Sequence, residues 1–121
     1  ALSSYEKALE IQQRYLPFNH PELAAVYNNI GEVYRSQGDY ARALRYYEKT
    51  LEIERNIFPV NHPSLAITYI NMAVALEAKQ RYEDAIRHTE QAVNIFQNVF
   101  GLNHSKTTEA QTYLDTLRQK L

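Results

Sequence analysis

Along this chain apolar residues return at steps of three and four, as in Ala110, Leu114, Leu117 and Leu121, and not at steps of two. That spacing draws a stripe down one side of a helix, whereas a half-buried strand would alternate. The positions between are rich in Ala, Leu, Glu, Arg, Lys and Gln, all good helix formers. All four prolines fall in two short segments, around 17–21 and 59–63, which punctuate the pattern. The fold class is all-α, with helices predicted at about 20–37, 40–57, 63–79, 82–99 and 105–121. His20 or Asn19 is expected to cap the first of these, with Pro21 in the first turn, where a missing N–H costs nothing. Gly38 supplies a left-handed stop, Asp39 caps the next helix, Pro59 ends it, and Gly101 plays the stop role later. The turn Lys79-Gln80-Arg81 lacks the glycine. A left-handed glutamine there costs up to ~1 kcal/mol, so this turn is expected to be looser or differently wound.

The pattern repeats. Asn19-His20-Pro21 returns as Asn61-His62-Pro63 and again as Asn103-His104-Ser105, each time 42 residues on. The same offset aligns Tyr5–Ile11 with Tyr47–Ile53 and, more loosely, with Thr89–Ile95. Each unit reads as helix–turn–helix, and residues 1–121 as one array: 1–17 a second helix without its first, 20–61 and 62–103 full repeats, and 104–121 a capping helix. The cap follows from Asp115 and Arg118, which stand where Gly31 or Ala73 and Tyr34 or Leu76 stand in the full repeats. Charges at packing positions are costly to cover, so that side is expected to face water. Ala1, Tyr5, Ala8 and Leu9 keep the residue types of an internal helix, which predicts self-association through the N-terminal helix.

Charge and chemistry narrow the function classes. Thirteen Lys and Arg balance fourteen Asp and Glu, leaving no field to attract nucleic acid or an anionic membrane. Ten tyrosines raise the question of base stacking, but most sit at helix-packing positions. There is no cysteine, no apolar run long enough to span a bilayer and no secretory leader, so the expected location is cytoplasmic and the Asn103-His104-Ser105 sequon incidental. His20, His62 and His104 are too far apart in a stack of repeats to share a metal and read as cap residues. Asp84 and His88 have a two-ligand spacing but read as a solvated face. Gly31, Gly38 and Gly101 are isolated, so no phosphate loop is present. The expectation is no enzyme, no cofactor and no metal.

Tyr27, Ile30-Gly31, Tyr34, Ala43 and Tyr47, followed in the next unit by Tyr69, Met72-Ala73, Leu76 and Ala85, resemble the tetratricopeptide repeat (TPR) pattern, departing at Thr89 where an aromatic is usual. The 42-residue period exceeds the usual 34 and, with His-Pro opening the unit, is similar to the kinesin light chain subgroup. The resemblance implies a right-handed α-solenoid of about six antiparallel helices whose first helices line a concave groove for a protein or peptide partner. By that alignment the groove residues are Ala25, Asn28, Asn29, Glu32 and Arg35, then Ile67, Ile70, Asn71, Val74 and Glu77, then Glu109, Thr112, Tyr113 and Thr116. Asn29 and Asn71 hold the position from which an asparagine bonds a ligand backbone in many peptide-binding relatives, and Ile67, Ile70 and Val74 form an apolar patch beside it. No clamp for a C-terminal carboxylate is expected, because Asn28 and Ile70 stand where lysine would be needed.

Overall fold

The computed structural model describes residues 21–121 together with Lys7. The predicted His20 or Asn19 cap, the truncated helix over 1–17 and its self-association surface lie outside the described residues. Among these residues the chain forms five helices and no strand: α1 (Pro21–Ser36), α2 (Tyr40–Ile57), α3 (Pro63–Ala78), α4 (Tyr82–Phe100) and α5 (Ser105–Arg118). They fall into two compact units divided after Phe58. In the first, α1 packs on α2; in the second, α3 packs on α4 and α4 on α5.

Local chemistry sets the helix ends. The Asp39 carboxylate accepts from the Arg42 N–H at 3.3 Å, as an N-cap should. His62 and His104 do the same with imidazole: each Nδ1 accepts from a backbone N–H two residues on, that of Ser64 and of Lys106, both at 3.1 Å. Their recurrence at the 42-residue period is thus a recurrence of helix starts.

The turn at 79–81 corrects the expectation from sequence, because it is wound like the turn at 37–39. Gly38 has φ +81° and Gln80 φ +61°. In the first turn the Asp39 N–H donates to the Tyr34 carbonyl at 2.9 Å and the Gly38 N–H to that of Arg35 at 3.0 Å; Arg81 and Gln80 repeat this onto Leu76 and Glu77, both at 2.9 Å. This paired closure satisfies carbonyls that the helix end leaves open. Helix-on-helix packing on both sides of the turn fixes its geometry, and Gln80 accepts a left-handed backbone to meet it.

The apolar stripes form the core as their spacing predicts. Leu23, Ala24, Tyr27 and Ile53 cluster in the first unit, with Tyr46 and Ile57 against them. In the second unit Leu65, Tyr69, Met72, Leu76, Ile86, Val93, Phe96, Leu114 and Leu117 are all buried. Asp115 and Arg118 are exposed, and Arg118 reaches the Glu90 carboxylate at 3.1 Å.

In the first pair Gly31 lies tight against α2. A Cβ there would lie 2.8 and 2.9 Å from two Tyr47 ring carbons, both inside van der Waals contact. In the second unit the corresponding residues are Ala73 and Thr89, both fully buried. The extra methyl on one helix is matched by the loss of a ring on the other, which keeps the combined volume in bounds.

Two stability measurements follow, both by urea unfolding monitored by circular dichroism. Gly31→Ala drives a methyl into the Tyr47 ring and is expected to cost about 1–3 kcal/mol. Gln80→Gly relieves the left-handed backbone and is expected to stabilise by about 1 kcal/mol.

Candidate functional site

Residues 67, 70, 71 and 74 share one face of α3, and 106, 109, 110 and 113 repeat the same spacing on α5. The two faces meet across a cavity of about 260 Å³ in the second unit, lined by Ile67, Ile70, Asn71 and Val74 from α3, by Lys106, Glu109, Ala110 and Tyr113 from α5, and by Phe96 from α4. Six residues expected in the groove, Ile67, Ile70, Asn71, Val74, Glu109 and Tyr113, are brought together here. Ile67 is an exposed large aliphatic residue, 47% accessible, while Ala110 and Phe96 are buried. The α3 wall is apolar except for the Asn71 amide, and the opposite rim carries one positive and one negative side chain.

Glu77 lies one turn beyond Val74 and is occupied within the protein. Its Oε1 accepts from the Tyr113 hydroxyl at 2.7 Å and its Oε2 from Lys120 Nζ at 2.7 Å. Lys120 also lies over the Tyr82 ring at 5.8 Å. Burial alone would raise the Glu77 carboxyl, but the bonds from Lys120 and Tyr113 outweigh it and hold the group below the ordinary carboxylate value. Burial, reinforced by the neighbouring carboxylate, pushes the Tyr113 hydroxyl well above its usual value, so it stays a proton donor. Tyr113 is therefore tied by its hydroxyl while its ring forms a wall of the cavity.

In the first unit Ala25 and Asn29 are exposed on α1, and Asn28, Glu32 and Arg35 are half-buried. Glu32 and Arg35 are engaged with the second helix of their own pair. The Tyr47 hydroxyl donates to Glu32 Oε1 at 2.6 Å, Arg35 donates to Glu32 Oε2 at 2.5 Å, and Arg35 Nε donates to the Tyr47 oxygen at 3.3 Å. Burial first, and then the bond to Glu32, raises the Tyr47 hydroxyl far above its ordinary range. Thr112 lies outside the cavity: it lines a separate depression with Gln97, Leu102, Thr107, Thr108 and Gln111, and its hydroxyl donates to the Thr108 carbonyl at 2.8 Å. The Thr116 hydroxyl likewise returns to its own helix.

Phe96 was not among the expected groove residues, because that expectation was confined to first helices. A signal was present: 42 residues earlier the chain has Glu54, so the same register changes from acidic to aromatic. Lys106 and Ala110 also went unnoticed, although they belong to the same face of α5 as Glu109 and Tyr113. Asp84, considered with His88 for metal binding, is instead held by Arg81 and Arg87, whose bonds keep its carboxyl below its ordinary value. No helix among the described residues is long and apolar enough to cross a membrane.

Family models described as tetratricopeptide repeat match residues 1–56 and 65–105. No curated protein matches the chain by sequence. Among solved structures, it is similar to a Podosopora anserina protein of kinesin light chain type with nearly identical TPR-like repeats, with a TM-score of 0.89 and 23% identity over 98% of this chain and 56% of that one. It is also similar to BtubC (BKLC) from P. vanneervenii, with a TM-score of 0.84 and 22% identity over 97% of this chain and 46% of that one. The chain thus spans about half the length of these structures, and at such identities the likeness speaks for the all-α repeat fold.

The tie on Tyr113 has a measurable pH signature. A carboxyl depressed in the folded state adds stability above its unfolded value and loses that contribution as pH falls through the folded value. The stability difference between wild type and Glu77→Ala is expected to be full above the ordinary value of 4.5 and to shrink progressively in more acid solution, read from urea unfolding at a series of pH values.

Proposed function

Because this chain belongs to the tetratricopeptide repeat family, we propose that it is a protein–protein interaction module of adaptor or scaffold type that holds a peptide segment of a partner at the cavity of its second unit. The observation that carries the proposal is the convergence of Ile67, Ile70, Val74 and Phe96 around about 260 Å³ with one amide, Asn71, on the wall. Small-molecule sites run to roughly 300–1,000 Å³ and enclose most of their ligand. A smaller opening among three helices suits a single apolar side chain projecting from a longer segment. An amide donates and accepts at once, which matches the backbone of an extended peptide whatever its side chains.

The weight of the reading falls on the second unit. Glu32 and Arg35 bond to each other and to Tyr47, and Glu77 to Tyr113 and Lys120, so the reading assigns these three mainly to support of the fold. Asn29 remains exposed at the position equivalent to Asn71 and is assigned a secondary contact. The reading gives the chain no catalytic role and requires no cofactor or metal. It places the module in the cytoplasm and assigns it neither a nucleic-acid nor a membrane partner.

An immobilised array of random dodecapeptides, probed with the whole chain, tests the reading. Capture of peptides that share an apolar anchor is expected, with Asn71→Ala weakening it about tenfold through loss of its hydrogen bonds. Ile70→Glu, which puts a charge in the apolar wall, is expected to abolish it. Capture that both variants leave intact would place the contact elsewhere. Concentration-dependent self-association with no peptide captured would give the chain an architectural role instead.

A further inference from the structure

We infer that the second-helix residue at the position that packs on Gly31, Tyr47 in the first unit and its counterpart Thr89 in the second, decides whether the neighbouring position on the first helix must be polar or can be apolar. Thr89 thereby becomes the positioning residue that permits the apolar cavity. The inference rests on the peptide-binding reading for what the cavity does, but not for how the residues are coupled.

Tyr47 is fully buried, yet its hydroxyl needs an acceptor. The ring carries that hydroxyl to the outward face of α1, where Glu32 accepts it at 2.6 Å and Arg35 closes the group. Arg35 can only donate, so without Glu32 the hydroxyl proton would have no acceptor among these three side chains. Thr89 holds the same place in the second unit and makes no such demand. Its short side chain donates to the Ala85 carbonyl of its own helix at 2.8 Å. Position 74, the counterpart of Glu32, is then free of any duty to a tyrosine and is valine. Ala73 stands in the place of Gly31, and with threonine for tyrosine at position 89 the ring that would meet its Cβ is gone from that position.

The exchange extends to the rest of the site. Ala25, Asn28 and Glu54 in the first unit correspond to Ile67, Ile70 and Phe96 in the second, all of which line the cavity. Asn29 and Asn71 are unchanged between the two. One repeat plan thus yields a polar face over a tyrosine and an apolar face over a threonine, while the amide suited to a peptide backbone is kept in both.

A double-mutant cycle of Glu32→Val and Tyr47→Phe, read by urea unfolding of the whole chain, tests the coupling. Glu32→Val is expected to lower the folding constant about tenfold more when the hydroxyl is present than when phenylalanine has removed it. Glu32→Gln, whose carbonyl still accepts, is expected to recover most of that loss. In the second unit, Ala73→Gly with Thr89→Tyr brings a hydroxyl beside Val74 and is expected to reduce capture of apolar-anchored peptides on the array several-fold, although residue 89 is itself fully buried. An additive cycle would overturn the inference, as would unchanged capture by the Ala73→Gly/Thr89→Tyr variant. If that variant fails to fold, the cycle decides alone. If the wild-type chain captures no peptide, the functional reading falls while the cycle still decides the coupling.

Discussion

Where α1 meets α2, Gly31 lies so close to Tyr47 and to the Ala43 carbonyl that the side chains at the contact must be chosen together. In the first unit the space is given to a tyrosine ring, and glycine is the residue that leaves room for it. In the second the space is shared between alanine and threonine. Interiors are packed to near-crystalline density, so neither helix can change at this point without the other. The 42-residue period preserves this relation and not the residues themselves, which is why Thr89 departs from the aromatic pattern while the helix plan is kept.

That constraint reaches the surface through hydrogen bonding. A large aromatic fills the interior well, but tyrosine brings a hydroxyl that must be satisfied, and the nearest acceptor is a side chain on the outward face. Packing chemistry at position 47 therefore dictates polarity at position 32, whereas the threonine at 89 satisfies itself on its own helix and leaves position 74 unconstrained. A second tyrosine, Tyr113, is used differently: its ring forms a wall of the cavity and its hydroxyl is tied to Glu77. In both cases a carboxylate holds a tyrosine in place, once under the first-helix surface and once beside the cavity.

Most of the fold was legible because it rests on local signals that repeat. Pro21, Gly38, Asp39, Pro63 and Gly101 mark helix ends through fixed backbone requirements, and the three- and four-residue spacing of Leu, Ile, Tyr and Ala marks the buried stripes. The turn at Gln80 was misjudged for a physical reason: residue preference is worth about 1 kcal/mol, and the packing of α3 on α4 outweighs it. The site was legible in part. Ile67, Ile70, Asn71, Val74 and Tyr113 share helical faces that spacing alone identifies. Phe96 comes from a helix on the other side of the pair, and no count along α3 or α5 reaches it.

The polar residues show where spacing stops being informative. On a helix face, Glu32, Arg35 and Glu77 look as available to a ligand as Asn71 does, since periodicity reports direction and not occupancy. Glu32 and Arg35 pair with each other one turn apart, and their further partners, with those of Glu77, lie 12 to 43 residues away on Tyr47, Tyr113 and Lys120. Once those bonds are counted, Glu32, Arg35 and Glu77 are seen to brace the fold, and the cavity of the second unit is mainly aliphatic on its α3 wall, with the Asn71 amide there and Lys106 and Glu109 on the opposite rim. A charged groove would draw partners by long-range attraction that salt screens. An apolar recess with one amide would select by fit and by desolvation, so under the peptide-binding proposal the second unit would discriminate by side-chain shape.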